Sequence, residues 1–177
     1  MTRQVPQPNP SRITPFAGHP VVVGITDTRA DLVVLTAAAW ARALGTTLYF
    51  AHADPSRYTV QEFRDGTVQH AAIDPDIGDD EQWRRVEQTF LSTIEGLLTG
   101  DDIAWEFRYL AGRADRALTH LARAVDAAAI VVGTHTGRGS GLHDFMHGAV
   151  GQHLAHHQHR PVLLVPLAVV DWKTPLP

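Results

Sequence analysis

Apolar residues fall into five short segments that predict β-strands. The runs at 20–25, 129–133 and 161–166 are continuous and rich in β-branched residues, which is typical of strands covered on both faces. In chain order, these are the first, fourth and fifth strands. The second strand is predicted at 46–53. In the third, at 103–110, apolar and polar residues alternate, which predicts a strand with one less covered face.

Between these strands, apolar residues recur at steps of three and four, the period of an amphipathic helix. The first helix is predicted to be capped by Asp27 or Thr28 and to end before Gly45, since small polar residues favour helix starts and glycine favours helix ends. Further helices are predicted at 81–98, 113–127 and 149–159.

Strands and helices therefore alternate along the whole chain, and this order predicts an α/β fold. It builds a five-stranded, mostly parallel sheet with helices on both faces, and 177 residues suit a single domain. In such sheets ligands bind beyond the carboxyl ends of the strands, where the strand order reverses. Functional residues are expected directly after the strands, at 25–28, 52–54, 111–113 and from Gly133 onward.

Three segments lie outside this pattern. Residues 54–80 contain seven acidic residues and no sustained period, which predicts a long variable loop. Residues 1–19 are rich in proline and predict a flexible tail, and residues 168–177 predict a second tail. The folded domain is expected at 20–167.

Composition and charge exclude several classes of protein. The 15 Lys and Arg against 19 Asp and Glu give a net charge of −4 with no basic block, so neither nucleic acid nor an anionic membrane is expected as a partner. The absence of cysteine excludes disulfides and thiolate sites. No segment approaches the roughly 20 apolar residues of a membrane span, and the N-terminal run is unlike a secretory signal. A cytoplasmic protein is expected.

The segment after the fourth strand is rich in glycine, with Gly133, Gly137 and Gly148 before the last helix. Glycine lets backbone approach a ligand closely, and the unpaired N–H groups at a helix start favour an anion. No Gly-Lys-Ser/Thr follows, so this is not a Walker loop. The glycines fit either a phosphate site or a connection without a ligand.

Four segments along the chain are similar, in order, to the universal stress protein family. They are the first strand and its exit (VVVGITDT), the second strand ending in AHA, the exit of the third strand (LAGRADRALTHLA), and a final block containing IVVGTHTGRG, HGAV and HLAHHQHRPVLLVP. The resemblance covers about residues 20 to 167. It implies the Rossmann-like fold of the adenine nucleotide alpha hydrolase-like proteins.

In nucleotide-binding members of that family, a Gly-x2-Gly-x9-Gly-Ser/Thr loop after the fourth strand cradles the phosphates of ATP. The ends of the first two strands contact the adenosine. The resemblance therefore implies an adenine-nucleotide site, with Mg²⁺ where ATP is bound. The implied residues are Gly24, Ile25, Thr26, Asp27, Ala53, Val132, Gly133, Gly137, Arg138, Gly148, Ala149 and Val150.

The chain departs from the family pattern at this loop. The loop is two residues longer, Thr136 stands in the strict second-glycine position, Ala149 replaces a hydroxyl residue, and Thr26 stands where the family has aspartate. A lost hydrogen bond to a charged group costs about 1.5–3 kcal/mol, so two losses weaken binding by on the order of 10² to 10⁴-fold unless they are replaced. Candidate replacements are Asp27, Arg138 and Ser140.

Three functions stay open on these residues. The first is regulatory or protective ATP binding without turnover in a stress response, and the second is a dimeric interaction module that has lost ATP binding. The third is a slow ATPase, which needs a metal-binding carboxylate such as Asp27 or Asp144. The sequence has no nucleophile elbow and no phosphoacceptor pattern, so no catalytic residue is assigned.

Seven of the 11 histidines lie within 25 residues near the C-terminus. His153 and His157 are four apart on the predicted last helix, and His143 and His147 share this spacing. Such spacing fits metal ligands, but it also fits solvated histidines on one helix face. We assign no metal site and expect the cluster to become cationic as the pH falls through about 6.5.

Four further side chains have two interpretations. Trp83, Phe90 and Trp105 lie at helical or strand spacing and are expected in the core rather than in a stacking platform. Arg113 follows the third predicted strand and either contacts a ligand or faces water.

The apolar run from Pro161 to Val170, with Trp172 beyond it, indicates an association surface. A strand at a sheet edge pairs readily with another chain. Universal stress proteins commonly dimerise through their last strand, so the resemblance implies a homodimer formed through this segment.

Overall fold

In the computed structural model, which describes residues 9–26, 31–74, 80–134 and 150–167, five strands form a parallel sheet and two form a separate hairpin. The strands are β1 (Val21–Gly24), β2 (Leu48–Asp54), β3 (Arg57–Glu62), β4 (Val68–Ala72), β5 (Trp105–Ala111), β6 (Ala129–Thr134) and β7 (Val162–Pro166). Within these ranges the α-helices are α1 (Asp31–Leu44), α2 (Asp80–Leu97), α3 (Ala114–Ala124) and α4 (Val150–His157), and a 3₁₀ turn spans Pro10–Arg12.

The strand order of the sheet is β5-β2-β1-β6-β7, with all four neighbouring pairs parallel. The chain first moves from β1 outward to β2 and β5, then returns to place β6 on the other side of β1. The predicted α/β fold with a five-stranded parallel sheet is confirmed. The order reverses between β1 and β6, which puts the expected ligand position at that point.

Helices cover both faces of the sheet, as predicted. Val21 and Val23 of β1 pack with α1 and α2 in one buried cluster, while Val22 packs with α3 and α4 in the other. The alternation follows from the two-residue period of a strand, because successive side chains point to opposite faces. The central strand is therefore apolar at every position.

Residues 54–80, which we expected to form a loop, contain the antiparallel hairpin β3–β4 instead. The pairing register shifts between Thr59 and Gln61, and such a bulge breaks the two-residue alternation by which a strand is recognised. Apart from Arg57, the side chains of both strands are half-buried or exposed. The local pattern therefore gave no sign of the two strands.

The hairpin packs against β5 at the edge of the sheet. On one side, the guanidinium of Arg57 lies 5.9 Å from the ring centre of Trp83 on α2. On the other side, a Cβ added to Gly66 in the hairpin turn would overlap Leu121 of α3. Between them, Arg108 of β5 donates from Nη2 to the carbonyl oxygen of Asp65 at 3.3 Å. The hairpin thus covers an edge strand, which limits its pairing with other chains.

Part of the expected N-terminal tail contacts the domain. The ring of Phe16 lies 5.9 Å from that of Trp40 on α1, and Nδ1 of His19 lies 3.2 Å from the carbonyl oxygen of Asp126. The hydroxyl of Thr46 donates to the carbonyl oxygen of His19. Residues 1–8 and 168–177 lie outside the described residues.

Within the described ranges, no helix combines the length and apolar character needed to cross a bilayer.

Candidate functional site

A notch lies at the carboxyl end of β1, because this strand is shorter than both of its neighbours. Gly24, its last residue, pairs with Ala51 of β2 and with Val132 of β6. From these partners β2 continues to Asp54, three residues further, and β6 continues to Thr134, two residues further. The notch coincides with the reversal of strand order, the position at which α/β sheets bind ligands.

The predicted site residues divide into a described and an undescribed group. The first group comprises Gly24, Ile25, Thr26, Ala53, Val132, Gly133 and Val150, all at the carboxyl edge of β1, β2 and β6 or at the start of α4. Asp27, Gly137, Arg138, Gly148 and Ala149 lie outside the described residues.

The chain leaves the core between Ile25 and Thr26. Ile25 is 3% exposed and its N–H donates to the carbonyl oxygen of Ala51 at 2.9 Å, whereas Thr26 is exposed. The carbonyl oxygen of Ile25 is 3.1 Å from Nδ1 of His52, the neighbouring residue on β2. A ligand in the notch would therefore meet the Thr26 hydroxyl rather than the Ile25 side chain.

Both glycines of the notch have a packing reason to be glycine. A Cβ on Gly24 would lie 2.7 Å from Cδ1 of Leu118 and 3.1 Å from Cγ1 of Val132. A Cβ on Gly133 would lie 2.6 Å from Cδ1 of Leu167 and 3.1 Å from Cγ2 of Val33. The sequence suggested ligand approach as the reason for Gly133, and the structure adds a second reason, since a side chain there would have to displace Leu167.

The first turn of α4 faces the same edge of the sheet. This helix connects the parallel strands β6 and β7, so it runs antiparallel to them and begins, at Val150, near the carboxyl end of β6. The start of a helix carries unpaired N–H groups and a partial positive charge, both of which favour an anion. The glycine-rich segment precedes this helix in the sequence.

Arg113 pairs with a neighbouring carboxylate. Its Nε and Nη2 donate to the two carboxylate oxygens of Asp115 at 3.1 and 2.8 Å, and Nη2 lies 3.5 Å from Nδ1 of His153. Burial opposes ionisation of Asp115, but the hydrogen bond and charge of Arg113 outweigh it and lower the pKa of the carboxyl. The pair fixes the first turn of α3.

Of the two predicted histidine pairs, His153 and His157 lie within the described residues, one turn apart on α4. The rings of His153 and His157 stack with their centres 5.5 Å apart, and Nδ1 of His157 is 2.9 Å from the carbonyl oxygen of His153. Among the described residues, no group of three or more His, Asp or Glu is placed to hold a metal ion. His143, Asp144 and His147 lie outside those ranges.

Beside the notch lies a cavity of about 550 Å³ that sequence analysis did not predict. Along β2 the side chains alternate, so Ala53 faces the α3 side while His52 and Asp54 line the cavity on the α2 side. Trp83 and Tyr109 form further parts of its wall. The cavity therefore adjoins the notch at one edge of the sheet, and Nδ1 of its lining residue His52 lies 3.1 Å from the carbonyl oxygen of Ile25.

The expectation for the aromatic residues holds in two of three cases. Phe90 is buried in the core and Trp105 packs against it. Trp83 was expected there too, but it lies outside the buried clusters and its ring is 5.5 Å from that of Tyr109. Helical spacing placed Trp83 on the inner face of α2, and it could not show that this end of the face overlooks a cavity.

Asp54 is the hub of the polar network in the cavity. Its Oδ1 accepts from the N–H and the hydroxyl of Ser56 at 2.8 and 2.6 Å, and its Oδ2 accepts from the hydroxyl of Tyr109 at 2.7 Å. Burial opposes ionisation, but these hydrogen bonds together outweigh it and lower the pKa of Asp54. Burial, and then the bond to Asp54, raise the pKa of Tyr109. Asp54 is thus an anion and Tyr109 a neutral donor at neutral pH.

Comparison with known proteins shows which family has this architecture. The family model described as the universal stress protein family matches residues 18–166. No curated protein shows a significant match to the chain.

Solved structures of universal stress proteins share the fold. One from Archaeoglobus fulgidus in complex with dAMP is 22% identical, with a TM-score of 0.56 over 83% of this chain and 97% of that one. A second, in complex with cAMP, is 22% identical, with a TM-score of 0.58 over 86% and 99%. A third, from Lactobacillus plantarum, is 14% identical, with a TM-score of 0.61 over 84% and 98%.

The family match covers the five-stranded sheet, its helices and the glycine-rich segment together. The chain therefore belongs to the universal stress protein family.

Proposed function

We propose that this protein binds an adenine nucleotide, ATP in the first instance, at the notch above β1, and acts in a stress response by binding rather than by turnover. The observation that carries the proposal is that β1 ends short of both neighbours exactly where the strand order reverses, with a glycine-rich segment directly following β6. Two structural neighbours are complexes with dAMP and cAMP.

The strand order decides which end of the nucleotide would lie beside β6 and which beside β2. Gly133 at the end of β6 and the start of α4 at Val150 lie on the β6 side, and N–H groups there and in the glycine-rich segment between them in the sequence would bind the phosphates. The base would lie across β1 near Ala53 of β2, with the exposed Thr26 between the two ends. Gly137, Arg138, Gly148 and Ala149 would complete the phosphate contacts.

The described part of the notch offers binding groups but no group suited to phosphoryl transfer. Gly24, Ile25, Val132 and Gly133 contribute backbone and apolar surface, and Thr26 a single hydroxyl. Transfer needs a metal-holding carboxylate and a group that positions water. Mg²⁺ would accompany ATP, and the carboxylates near it in the sequence, Asp27 and Asp144, lie outside the described residues. We therefore propose a binding protein and no enzyme.

Calorimetric titration with Mg-ATP, AMP and Mg-GTP, followed by a phosphate-release assay, tests this function. We expect ATP and AMP to bind, GTP to bind more weakly, and no phosphate to be released. Phosphate release would instead support the slow ATPase. The absence of heat with every adenine nucleotide would support the interaction module that has lost its pocket.

A paired substitution shows whether the glycine-rich segment holds the phosphates. Gly148→Val should abolish ATP binding, because a branched side chain crowds the backbone that approaches the phosphates. Gly96→Val on α2 is the control, since a Cβ at Gly96 meets nothing within 4 Å. Unchanged ATP affinity in Gly148→Val would place the phosphates elsewhere.

We also propose that the protein forms a homodimer through the segment Pro161–Val170. Strand β7 is the outer strand on the β6 side of the sheet, and Leu164 on it is 47% exposed. An edge strand with an exposed apolar side chain is a ready surface for pairing with a second copy.

A further inference from the structure

The outer face of α1 is apolar and exposed. Of the 14 residues of this helix, only Asp31, Thr36 and Arg42 are not apolar. The inner face packs in the core, but on the outer face Leu32 is 55% exposed and Leu35 is 44% exposed. A helix that is apolar on all sides is normally buried on all sides. The outer face of α1 is therefore expected to be covered by another segment.

The exposed leucines lie in the first half of α1. In the second half, the ring of Phe16 lies 5.9 Å from that of Trp40, so the N-terminal segment already reaches that part of the helix. Leu32 and Leu35 are three residues apart and share one side of the helix, and Asp31 lies one turn before Leu35. We call this surface the Leu32–Leu35 face. Its chemistry suits a short apolar segment that carries a positive charge.

The described chain ends close to this face. Leu167, its last residue, packs against the core cluster that contains Val33 of α1. A Cβ added to Gly133 would lie 2.6 Å from Cδ1 of Leu167 and 3.1 Å from Cγ2 of Val33, so these two side chains are neighbours. Val33 directly follows Leu32 in the helix. The residues after Leu167 therefore start beside the first turns of α1.

Residues 168–177 have the composition of a covering segment. Trp172 is five residues beyond Leu167, which gives it a reach of up to about 17 Å in an extended chain. The Leu32–Leu35 face lies within one helical turn of Val33, about 5 Å along the axis. Residues 1–8, at the other end of the chain, contain no aromatic residue. The C-terminal segment also contains these apolar and basic residues: Val169, Val170, Lys173 and Leu176.

We infer that residues 171–177 pack across the Leu32–Leu35 face of their own chain, with the indole ring of Trp172 on the two leucines and the ammonium group of Lys173 near the carboxylate of Asp31. The contact removes an aromatic ring and two leucine side chains from water, which stabilises it. The dimer that we propose through Pro161–Val170 uses the residues before this segment, so both contacts can form in one molecule.

NOE measurements on the 177-residue protein with labelled leucine methyl groups test the contact directly. The indole signals of Trp172 are identified by their loss in Trp172→Phe. We expect NOEs from this ring to the methyl groups of Leu32 and Leu35. NOEs to neither leucine would overturn the inference. In a mixture of labelled and unlabelled protein, NOEs that arise only between different molecules would place the ring on a second copy and would overturn it too.

Polar substitutions of the face provide a second test. The double variant Leu32→Gln/Leu35→Gln removes the apolar surface and keeps residues that favour a helix. It should move the indole N–H resonance of Trp172 to its position in the isolated peptide 168–177. Val60→Gln is the matched control, because Val60 is 54% exposed and lies on the hairpin at the far edge of the sheet. An unmoved resonance in the double variant, or an equal shift in Val60→Gln, would refute the contact.

Thermal unfolding at one protein concentration shows whether Trp172 and the two leucines act together. Trp172→Ala should lower the melting temperature of the wild type by about 2–4 °C. In the Leu32→Gln/Leu35→Gln background the same substitution should leave the melting temperature unchanged, because the partners of the ring are already removed. Equal losses in both backgrounds would show that Trp172 packs elsewhere, and no loss in the wild type would show that the ring is not covered; either result contradicts the inference.

Discussion

At the scale of single residues, Asp115 shows how one carboxylate organises the segment that follows β5. It accepts both hydrogen bonds of Arg113 and lies 3.7 Å from Nδ1 of His153, while its own side chain is only 13% exposed. It also stands in the first turn of α3, where a negative charge is favourable. The residue ties the start of α3 to α4.

Asp115→Asn should destabilise the protein at pH 7 by about 1 kcal/mol, since half of the Arg113 side chain is in water and screens the pair. The pKa of Asp115 is lowered by folding, so its contribution is complete above the unfolded pKa of about 4 and is lost as the pH falls through the folded value. Urea unfolding at a series of pH values from 7 to 3 should show the difference from wild type shrinking with acidity.

Glu81→Gln is the control for that series. Glu81 pairs with Arg85 at 3.3 Å with both side chains largely exposed, so its substitution should change stability little at any pH. A gap between wild type and Asp115→Asn that stays constant down to pH 3 would contradict the assignment.

Glycine shows what a sequence can and cannot disclose about a residue. The sequence predicts Gly24 and Gly133 as nucleotide-binding positions, and in the structure neighbouring side chains crowd both of them. Their neighbours in space, Leu118 and Leu167, are far away in the chain, so packing could not be recognised as the reason.

At the scale of elements, the strands and helices of the sheet could be predicted because their patterns are local. The alternation at 103–110 even indicated the less covered strand, and β5 does lie at the edge of the sheet with a half-buried first half. The hairpin β3–β4 could not be predicted, because a bulge interrupts its period and its stability comes from contacts with α2, α3 and β5.

Two glycines with the same backbone conformation test how the hairpin turn packs on α3. Gly66 has φ +81° and Gly100 has φ +85°, so alanine is strained at both. A Cβ at Gly66 would also overlap Leu121 of α3, whereas at Gly100 nothing lies within 4 Å. Gly66→Ala should therefore cost about 1–3 kcal/mol more than Gly100→Ala.

Denaturant unfolding of both variants measures this difference. Because both variants carry the same backbone strain, the difference between their stabilities reports the packing of the hairpin turn against α3. Equal losses of stability would mean that the turn does not pack against Leu121.

The candidate site likewise has one part that the sequence could predict, the notch, and one that it could not, the cavity. Parallel strands end at one edge, so residues directly after them could be expected near one another, and the notch has this origin. The cavity combines His52, Trp83 and Tyr109 with residues of the unpredicted hairpin. No local pattern brings these side chains together.

At the scale of the whole molecule, the two edges of the sheet differ. The hairpin covers the β5 edge, while β7 forms the opposite edge with Leu164 exposed. The β7 edge is the one through which we propose a dimer.

Leu164→Glu should convert the dimer into a monomer, because a charge would replace an exposed apolar side chain that the second copy would cover. Leu35→Glu on α1 is the control, as Leu35 is 44% exposed against 47% for Leu164 and lies away from that edge. Light scattering coupled to size exclusion measures the mass of each. A monomeric wild type, or a dimer that survives Leu164→Glu, would exclude this interface.

The central claim is that an adenine nucleotide occupies the notch at the strand-order reversal. An NMR titration of the isotope-labelled protein with Mg-ATP tests it most directly, because each backbone amide reports its own surroundings. We predict progressive shifts at the amides of Ile25, Thr26, Gly133 and Val150, with the amide of Asp101 at the opposite edge unchanged. Shifts that avoid those four amides, or no shifts at millimolar Mg-ATP, would contradict the account.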